Sequence, residues 1–324
     1  MSKKERLWTT TALNAIVLEE LKLLGELFSQ SPGIPVAVLK GGALAFTLYP
    51  DPALRPLTDI DLLVLEERFE EAVTRLREAG YWEFAPDLAP GLNRVLGSHL
   101  CLRKCGLPLS LEIHWSLAAS THSHYAPDMA WFWDHVEPLR LPFPTPLLTL
   151  DPTAHLLYLA SHAMLQHGEA RLDPKWLYDI HLLMEKEAAR INWGEMVEQA
   201  MAFHWNEALL RALRRCSELF GTVPPREVIR RLEAQRDKVA AGLLESKAVP
   251  RRKGKAAWDL FWSLDQCGKI GLLRGFLLPS PTFIRWRYKP NPAWAWPFFY
   301  LYRWFDILRE GFHLAIRAIC SRST

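Results

Sequence analysis

The sequence predicts an α+β chain, with a small α/β domain at about residues 30–120 followed by a large all-helical region. Three observations predict it. Short apolar, β-branched runs bounded by Gly and Pro, the mark of buried strands, are concentrated in the first third of the chain. Beyond about residue 125, apolar residues recur at helical spacing in segment after segment. The 324 residues are 49% hydrophobic and 23% charged, enough apolar material for a substantial core and too much for disorder.

Each element has a local reason. "TALNAIVLEELKLLGELFS" (11–29) is amphipathic at helical period and makes residues 1–30 an N-terminal helix packing on the core. "PGIP" (32–35) breaks the chain, and "VAVLK" (36–40) suits a buried strand. Gly41–Gly42 leads into "ALAFTLY", helical in composition; "PDPALRP" (50–56) is a loop and "DIDLLVL" (59–65) the next strand. "EERFEEAVTRLREAG" (66–80) is a helix with an acidic start and a glycine C-cap. "HLCLRK" (99–104) and "PLSLEIHW" (108–115) flank a turn and form a hairpin. These elements delimit a core domain at 31–120. Helices follow at 151–168, 174–190, 193–221 and 225–245, giving a helical region at 121–248. "VPRRKGK" (249–255) is a basic hinge, and 249–324 is a basic, Trp-rich helical end with helices at 256–278 and 298–319. "THSHY" (121–125) reads as a loop, and no metal role is assigned to it.

The net charge of +3 is too small to argue for a nucleic-acid partner, but its distribution is uneven. Residues 247–324 carry 14 Lys and Arg against 4 acids, leaving 25 against 32 in residues 1–246. A basic tail rich in Trp and Tyr on an acidic body points to phosphate-rich material and to peripheral membrane contact through 247–324. No run of 18 uncharged apolar residues exists, since 290–308 is broken by Pro297, Arg303 and Asp306, so no transmembrane segment is expected. Five cysteines in no even framework, and an N-terminus with acids where a signal peptide has its apolar run, suggest a reducing cytoplasm.

The chemistry lies in "KGGALAFTLYPDPALRPLTDIDLLVL" (40–65). Side chains alternate along a strand, so Asp59 and Asp61 share a face. Two close carboxylates repel, and a hard divalent cation removes the conflict; Mg²⁺ is typically held by one or two carboxylates plus substrate phosphates. A strand running into Gly41–Gly42 and a helix offers bare N–H groups at a positive helix end, where phosphate can approach. Lys40 and Arg55 on either side are candidates for direct phosphate contact.

In this order the segment resembles the signature of the polymerase-β-like nucleotidyltransferase superfamily, a Gly-Gly or Gly-Ser turn before an Asp-X-Asp or Asp-X-Glu strand. It is more similar to one branch, the uncharacterised nucleotidyltransferases, which share the Lys-Gly start and the Arg-X-X-X-Asp-X-Asp-Leu-Leu end. Two departures are visible: sixteen residues separate Gly42 from Asp59, more than in minimal members, and the second turn position is Gly rather than Ser. The resemblance implies a small nucleotidyltransferase-type mixed sheet with flanking helices. It also implies a third carboxylate on a later strand, offered by Glu112 in "LSLEIHW", where the family reads acid-X-His-Trp as in Glu112, His114 and Trp115. His114 is carried over only as an active-site neighbour. The likeness extends, thinly, over 36–190.

The expected activity is a metal-dependent transfer of a nucleoside monophosphate from a nucleoside triphosphate to an acceptor, releasing pyrophosphate. Asp59, Asp61 and Glu112 would be catalytic and hold two Mg²⁺ ions, or Mn²⁺ in their place, and Lys40, Gly41, Gly42 and Arg55 would hold the triphosphate. The acceptor stays open between protein, nucleic acid and small molecule. Two other readings stand beside this one. The first is an antitoxin-like or regulatory nucleotide-binding partner on the same scaffold. The second is a helical metal hydrolase built from His155, His162, Asp179 and His181. His167 belongs to the same histidine-rich helix, and the resemblance, whose family shows such a helix followed by an Asp-bearing one, implies that these residues line the acceptor side of the site.

Overall fold

A computed structural model describes residues 2–118, 124–237, 241–242, 244, 261 and 266–320. The hinge expected at 249–255 and most of 121–125 lie outside the described residues. The chain forms two units, one of residues 1–82 and 98–250, the other of 83–97 and 251–324.

The first unit is built on the seven-stranded mixed sheet, in which β1 (Val36–Leu39), β2 (Asp59–Val64), β3 (Tyr81–Glu83), β4 (His99–Lys104), β5 (Ser110–His114), β6 (Val136–Pro138) and β7 (Leu148–Leu150) stand in the order β3-β4-β5-β2-β1-β7-β6. β1 is antiparallel to β2 and parallel to β7; β2 is parallel to β5, and β4 antiparallel to β5. The expected strands and hairpin are present. The sheet also continues past them, because β6 and β7 complete it from a stretch read as lacking strands. Each is three residues long, too short for a period of two to register.

Alternation sorts the sheet into two faces. Val36, Val38, Ile60, Leu62, Val64, Leu111 and Ile113 join one core with α1 (Lys3–Ser29) and α3 (Phe69–Glu78). α1 starts at a Ser2–Glu5 capping box and buries Val17, Leu21, Leu24 and Phe28, each worth about 1.5–3 kcal/mol of transfer free energy. Ala37, Leu39 and Leu63 face the other core with the helical bundle, and Asp59 and Asp61 share Leu63's face.

That bundle comprises α5 (Met129–Asp134), α6 (Pro152–Ser161), α7 (Pro174–Lys186), α8 (Trp193–Ala202), α9 (Asn206–Phe220) and α10 (Arg226–Ala234). Capping decides two of the starts: Asp151 and Asp173 each accept a first-turn N–H and are followed by proline at the first helical position. The segment 193–221 is two helices, not one. His204 takes a left-handed φ of 56° between them, and the buried Trp205 donates from its indole to the Tyr125 carbonyl, so a side-chain anchor breaks the periodic run.

In the second unit, α4 (Leu92–Leu96) packs with α11 (Gln266–Leu277), followed by α12 (Pro281–Tyr288) and α13 (Phe299–Cys320). Ser280 joins its two segments through bonds to the Leu88 and Asp87 carbonyls. Among the described residues no helix is long and apolar enough to cross a membrane.

Candidate active site

β1 ends where α2 (Lys40–Thr47) begins, and this junction forms one side of the site. Lys40 sits at φ 48°, a left-handed conformation costly for a residue with a Cβ. Its backbone N–H donates to His155 Nε2 of α6 at 3.1 Å, which helps hold the turn. Burial pushes His155 down to about 4, so the ring is neutral and free to accept. The glycines have specific steric reasons. A Cβ on Gly41 would stand 2.8 Å from Leu57 Cδ2 and 3.0 Å from the Arg55 guanidinium carbon; one on Gly42 would stand 3.0 Å from Val38 Cγ1. Glycine lets Arg55 and β1 close on the turn.

The carboxylates meet across two strands. Asp61 pairs in register with Glu112 of β5 and with Leu39 of β1, and Asp59 lies two residues earlier on the same face. Lys40 Nζ donates to Asp61 Oδ1 at 2.8 Å, and His114 Nε2 reaches the same oxygen at 3.1 Å. Burial alone would raise the Asp61 carboxyl, but Lys40 and His114 hold it well below the usual carboxylate range. Burial would lower the Lys40 ammonium, yet Asp61 keeps it raised, so it is a permanent cation. Burial likewise opposes charge on Glu112 and His114, but the nearby His114 lowers the former, and the hydrogen bond to Asp61 with the nearby Glu112 carboxylate raises the latter. Asp59 is pushed up, first by burial and then by the negative charge of Asp61. His114 Nδ1 is buried and has no hydrogen-bond partner among the described residues, so contacts at Nε2 orient the ring.

Arg55 is buried beneath the Gly41 turn. Its Nε and Nη2 donate to Asp179 of α7 at 2.9 and 2.8 Å, and Nη1 donates to the Pro56 carbonyl. Asp179 also accepts the Tyr49 hydroxyl at 2.7 Å. Arg55 is thus a fixed positive charge that ties the loop before β2 to the bundle.

A cavity of about 240 Å³ collects these groups. Its sheet side holds Lys40, Gly41, Arg55, Asp59, Asp61 and Glu112. The opposite wall comes from a π-helical turn at His162–His167 and the start of α7: His162, Gln166, His167, Lys175 and Trp176. His162 is anchored by Gln166 at 2.9 Å, which in turn donates to the Leu117 carbonyl, and burial keeps its pKa well below the ordinary value. The His167 ring lies 4.3 Å from that of Trp176. Gly42 does not line the cavity. The family resemblance offers the histidine-rich helix, and with it His162 and His167, for this wall; Gln166, Lys175, Trp176 and His99 carry no such expectation. His99 was recoverable in principle, since extending the hairpin register pairs it with His114; Lys175 and Trp176 carry no sequence signal.

The four residues of the helical hydrolase reading have separate tasks. His155 serves the Lys40 turn, Asp179 holds Arg55 and Tyr49, His162 bonds Gln166, and His181 Nδ1 lies 2.7 Å from the Thr222 hydroxyl. Among the described residues two groups could share an ion, His99–Glu112–His114 and His124–His204–Asp237, and neither includes any of those four.

Comparisons with curated proteins and with solved structures find no match. A family profile described as uncharacterised nucleotidyltransferase matches residues 3–221, which span the whole sheet, the cavity and the bundle as far as α9, and the chain belongs to that family.

Proposed function

We propose that the protein is a metal-dependent nucleotidyltransferase that moves a nucleoside monophosphate from a nucleoside triphosphate to an acceptor hydroxyl or phosphate and releases pyrophosphate. One observation carries the reading: the β2–β5 register sets Asp61 beside Glu112, with Asp59 on the same face, at the edge of a cavity that Lys40 and Gly41 also line. The donor types suit a divalent cation, which would have to draw the three carboxylates together: among the described residues the groups close enough to share an ion are His99–Glu112–His114 and His124–His204–Asp237. Three carboxylates face Lys40 and His114, and Asp59 is raised first by burial and then by the charge of Asp61. Asp59, Asp61 and Glu112 would hold Mg²⁺, or Mn²⁺ in its place. Bound there, the metal supplies charge neutralisation at the transferring phosphoryl group and activation of the acceptor oxygen.

The remaining work falls to the chain. The first-turn N–H groups of α2, at Gly41 and Gly42, cannot be satisfied within the helix and face the positive end of its dipole, which suits triphosphate oxygens. Lys40 adds a permanent ammonium held against Asp61. Arg55 contributes a charge held in place by Asp179, so it supports the phosphate site largely by position. The His162–Trp176 wall limits water access to the phosphate being attacked. Positioning and charge compensation are the main sources of rate in phosphoryl transfer.

The test is transfer of label from α-³²P nucleotides to protein, nucleic-acid and small-molecule acceptors with Mg²⁺. Mg²⁺-dependent transfer, lost in Asp59→Asn and in Asp61→Asn, is expected. Transfer that persists in the double variant refutes the assignment. Nucleotide binding without transfer to any acceptor returns the chain to a regulatory binding role.

For the second unit we propose peripheral contact with an anionic membrane. Leu301, Phe305 and Leu308, spaced to share one face of α13, are 62–72% exposed, in a segment with 14 basic residues against 4 acids.

A further inference from the structure

The β4–β5 hairpin carries chemistry that phosphate binding by the α2 turn does not use. His99, the first residue of β4, pairs directly with His114, the last of β5, and Cys101 pairs with Glu112. The two imidazole rings lie 4.8 Å apart. Their Nε2 atoms converge on a single oxygen, Glu112 Oε2, at 3.7 Å from His99 and 3.6 Å from His114. All three donor atoms lie within 4.8 Å of one another. The side chains grade from closed to open, with His114 4%, Glu112 23% and His99 40% exposed, so the cluster has a protein floor and a mouth on the cavity.

Donor type then decides what such a cluster would take. Mg²⁺ prefers oxygen ligands in near-ideal octahedral geometry, whereas two imidazole nitrogens and one carboxylate suit Zn²⁺, Co²⁺ or Mn²⁺. Three ligands about 2.0–2.2 Å from a tetrahedral ion stand ~3.4 Å apart, so the Glu112 contacts need a shift of only a few tenths of an ångström. Three protein ligands with one open side is the arrangement of catalytic rather than structural metal sites.

We propose that His99 and His114, with Glu112 shared with the Asp59–Asp61 pair, form a transition-metal site that binds a Zn²⁺-class ion with one coordination position facing the cavity, His114 Nε2 exchanging its 3.1 Å contact with Asp61 for the metal. Metal binding at this cluster stands on its own geometry; a catalytic use for it rests on the nucleotidyltransferase reading.

The experiment uses the full-length chain, stripped with chelator and titrated with Co²⁺ alone, read by visible absorption and by Zn²⁺ competition. Pulsed electron paramagnetic resonance of the Mn²⁺-loaded protein reads directly bound imidazole nitrogen. His99 is partly exposed, so His99→Ala tests the site with little demand on folding, and His99→Gln keeps its size. His204→Ala removes the other His–Asp group and serves as the control. The expected result is one equivalent of Co²⁺ displaced by Zn²⁺, imidazole coupling in wild type, and affinity at least tenfold weaker in both His99 variants but retained in His204→Ala. Binding of Co²⁺ unchanged by His99→Ala, or lost in His204→Ala, overturns the proposal. The two readings fail separately. Co²⁺ bound through His99 without nucleotidyl transfer removes the transferase reading and leaves the site, and Mg²⁺-dependent transfer without such Co²⁺ binding does the reverse.

Discussion

Asp179→Asn isolates the charge that fixes Arg55. In the native protein Asp179 is fully buried and accepts three hydrogen bonds from Arg55 and one from Tyr49. The substitution keeps the shape and one carbonyl oxygen, but leaves a guanidinium that is only 4% exposed without its counter-charge. Removing one partner of a buried pair costs about 3–5 kcal/mol. Because asparagine still accepts one bond, the lower end, about 3 kcal/mol, applies. For a unit of this size each kcal/mol moves Tm by about 2–4 °C, so thermal unfolding followed by circular dichroism should fall by about 6–12 °C. The drop should persist at high salt, since a buried pair is weakly screened. Nucleotide binding should weaken as well, because Arg55 lies against the position a Gly41 Cβ would take and its charge is felt at Asp59. Replacing Tyr49, Arg55 and Asp179 together with Phe, Met and Leu should restore much of the lost Tm while leaving nucleotide binding poor. A Tm within about 1 °C of wild type in Asp179→Asn refutes the reasoning, since a shift that small corresponds to less than about 0.5 kcal/mol.

Gly41→Ala should cost about 1–3 kcal/mol and reduce nucleotide affinity, because the new methyl meets a pinned Arg55 and Leu57 rather than a free side-chain end; a denaturant melt together with nucleotide titration reads both. His155 has a folded pKa of about 4 against 6.5, so its neutral form favours the fold above pH 6.5 and that contribution is lost as pH falls toward 4. The loss is about 3 kcal/mol at most, and it should vanish in His155→Gln when urea midpoints are compared across that window. On the second unit, Leu301→Glu with Phe305→Glu should abolish salt-sensitive flotation with anionic vesicles, and absence of wild-type flotation at low salt refutes membrane contact.

Much of the site was legible because it is local. The break at Gly41–Gly42, the shared face of Asp59 and Asp61, and the hairpin bearing Glu112 all follow from backbone permissiveness and the two-residue period of a strand. The helices were legible for the same kind of reason, periodic burial, except where an anchored Trp205 and the left-handed His204 split one run in two. The strands β6 and β7 were not, since three residues of each carry no period.

The sequence by itself determined which way side chains point: that both aspartates face one side, and that a glycine turn precedes them. Only the tertiary structure decided which groups meet. It laid β5 parallel to β2 so that Glu112 stands beside Asp61, turned Lys40 onto Asp61 rather than toward solvent, and bound Arg55 to Asp179 from the helical bundle. It also supplied the second wall of the cavity from the His162–Trp176 segment. The physical reason is that direction along an element is set by local backbone geometry, whereas register and partnership between distant elements are set by the packing of the whole core.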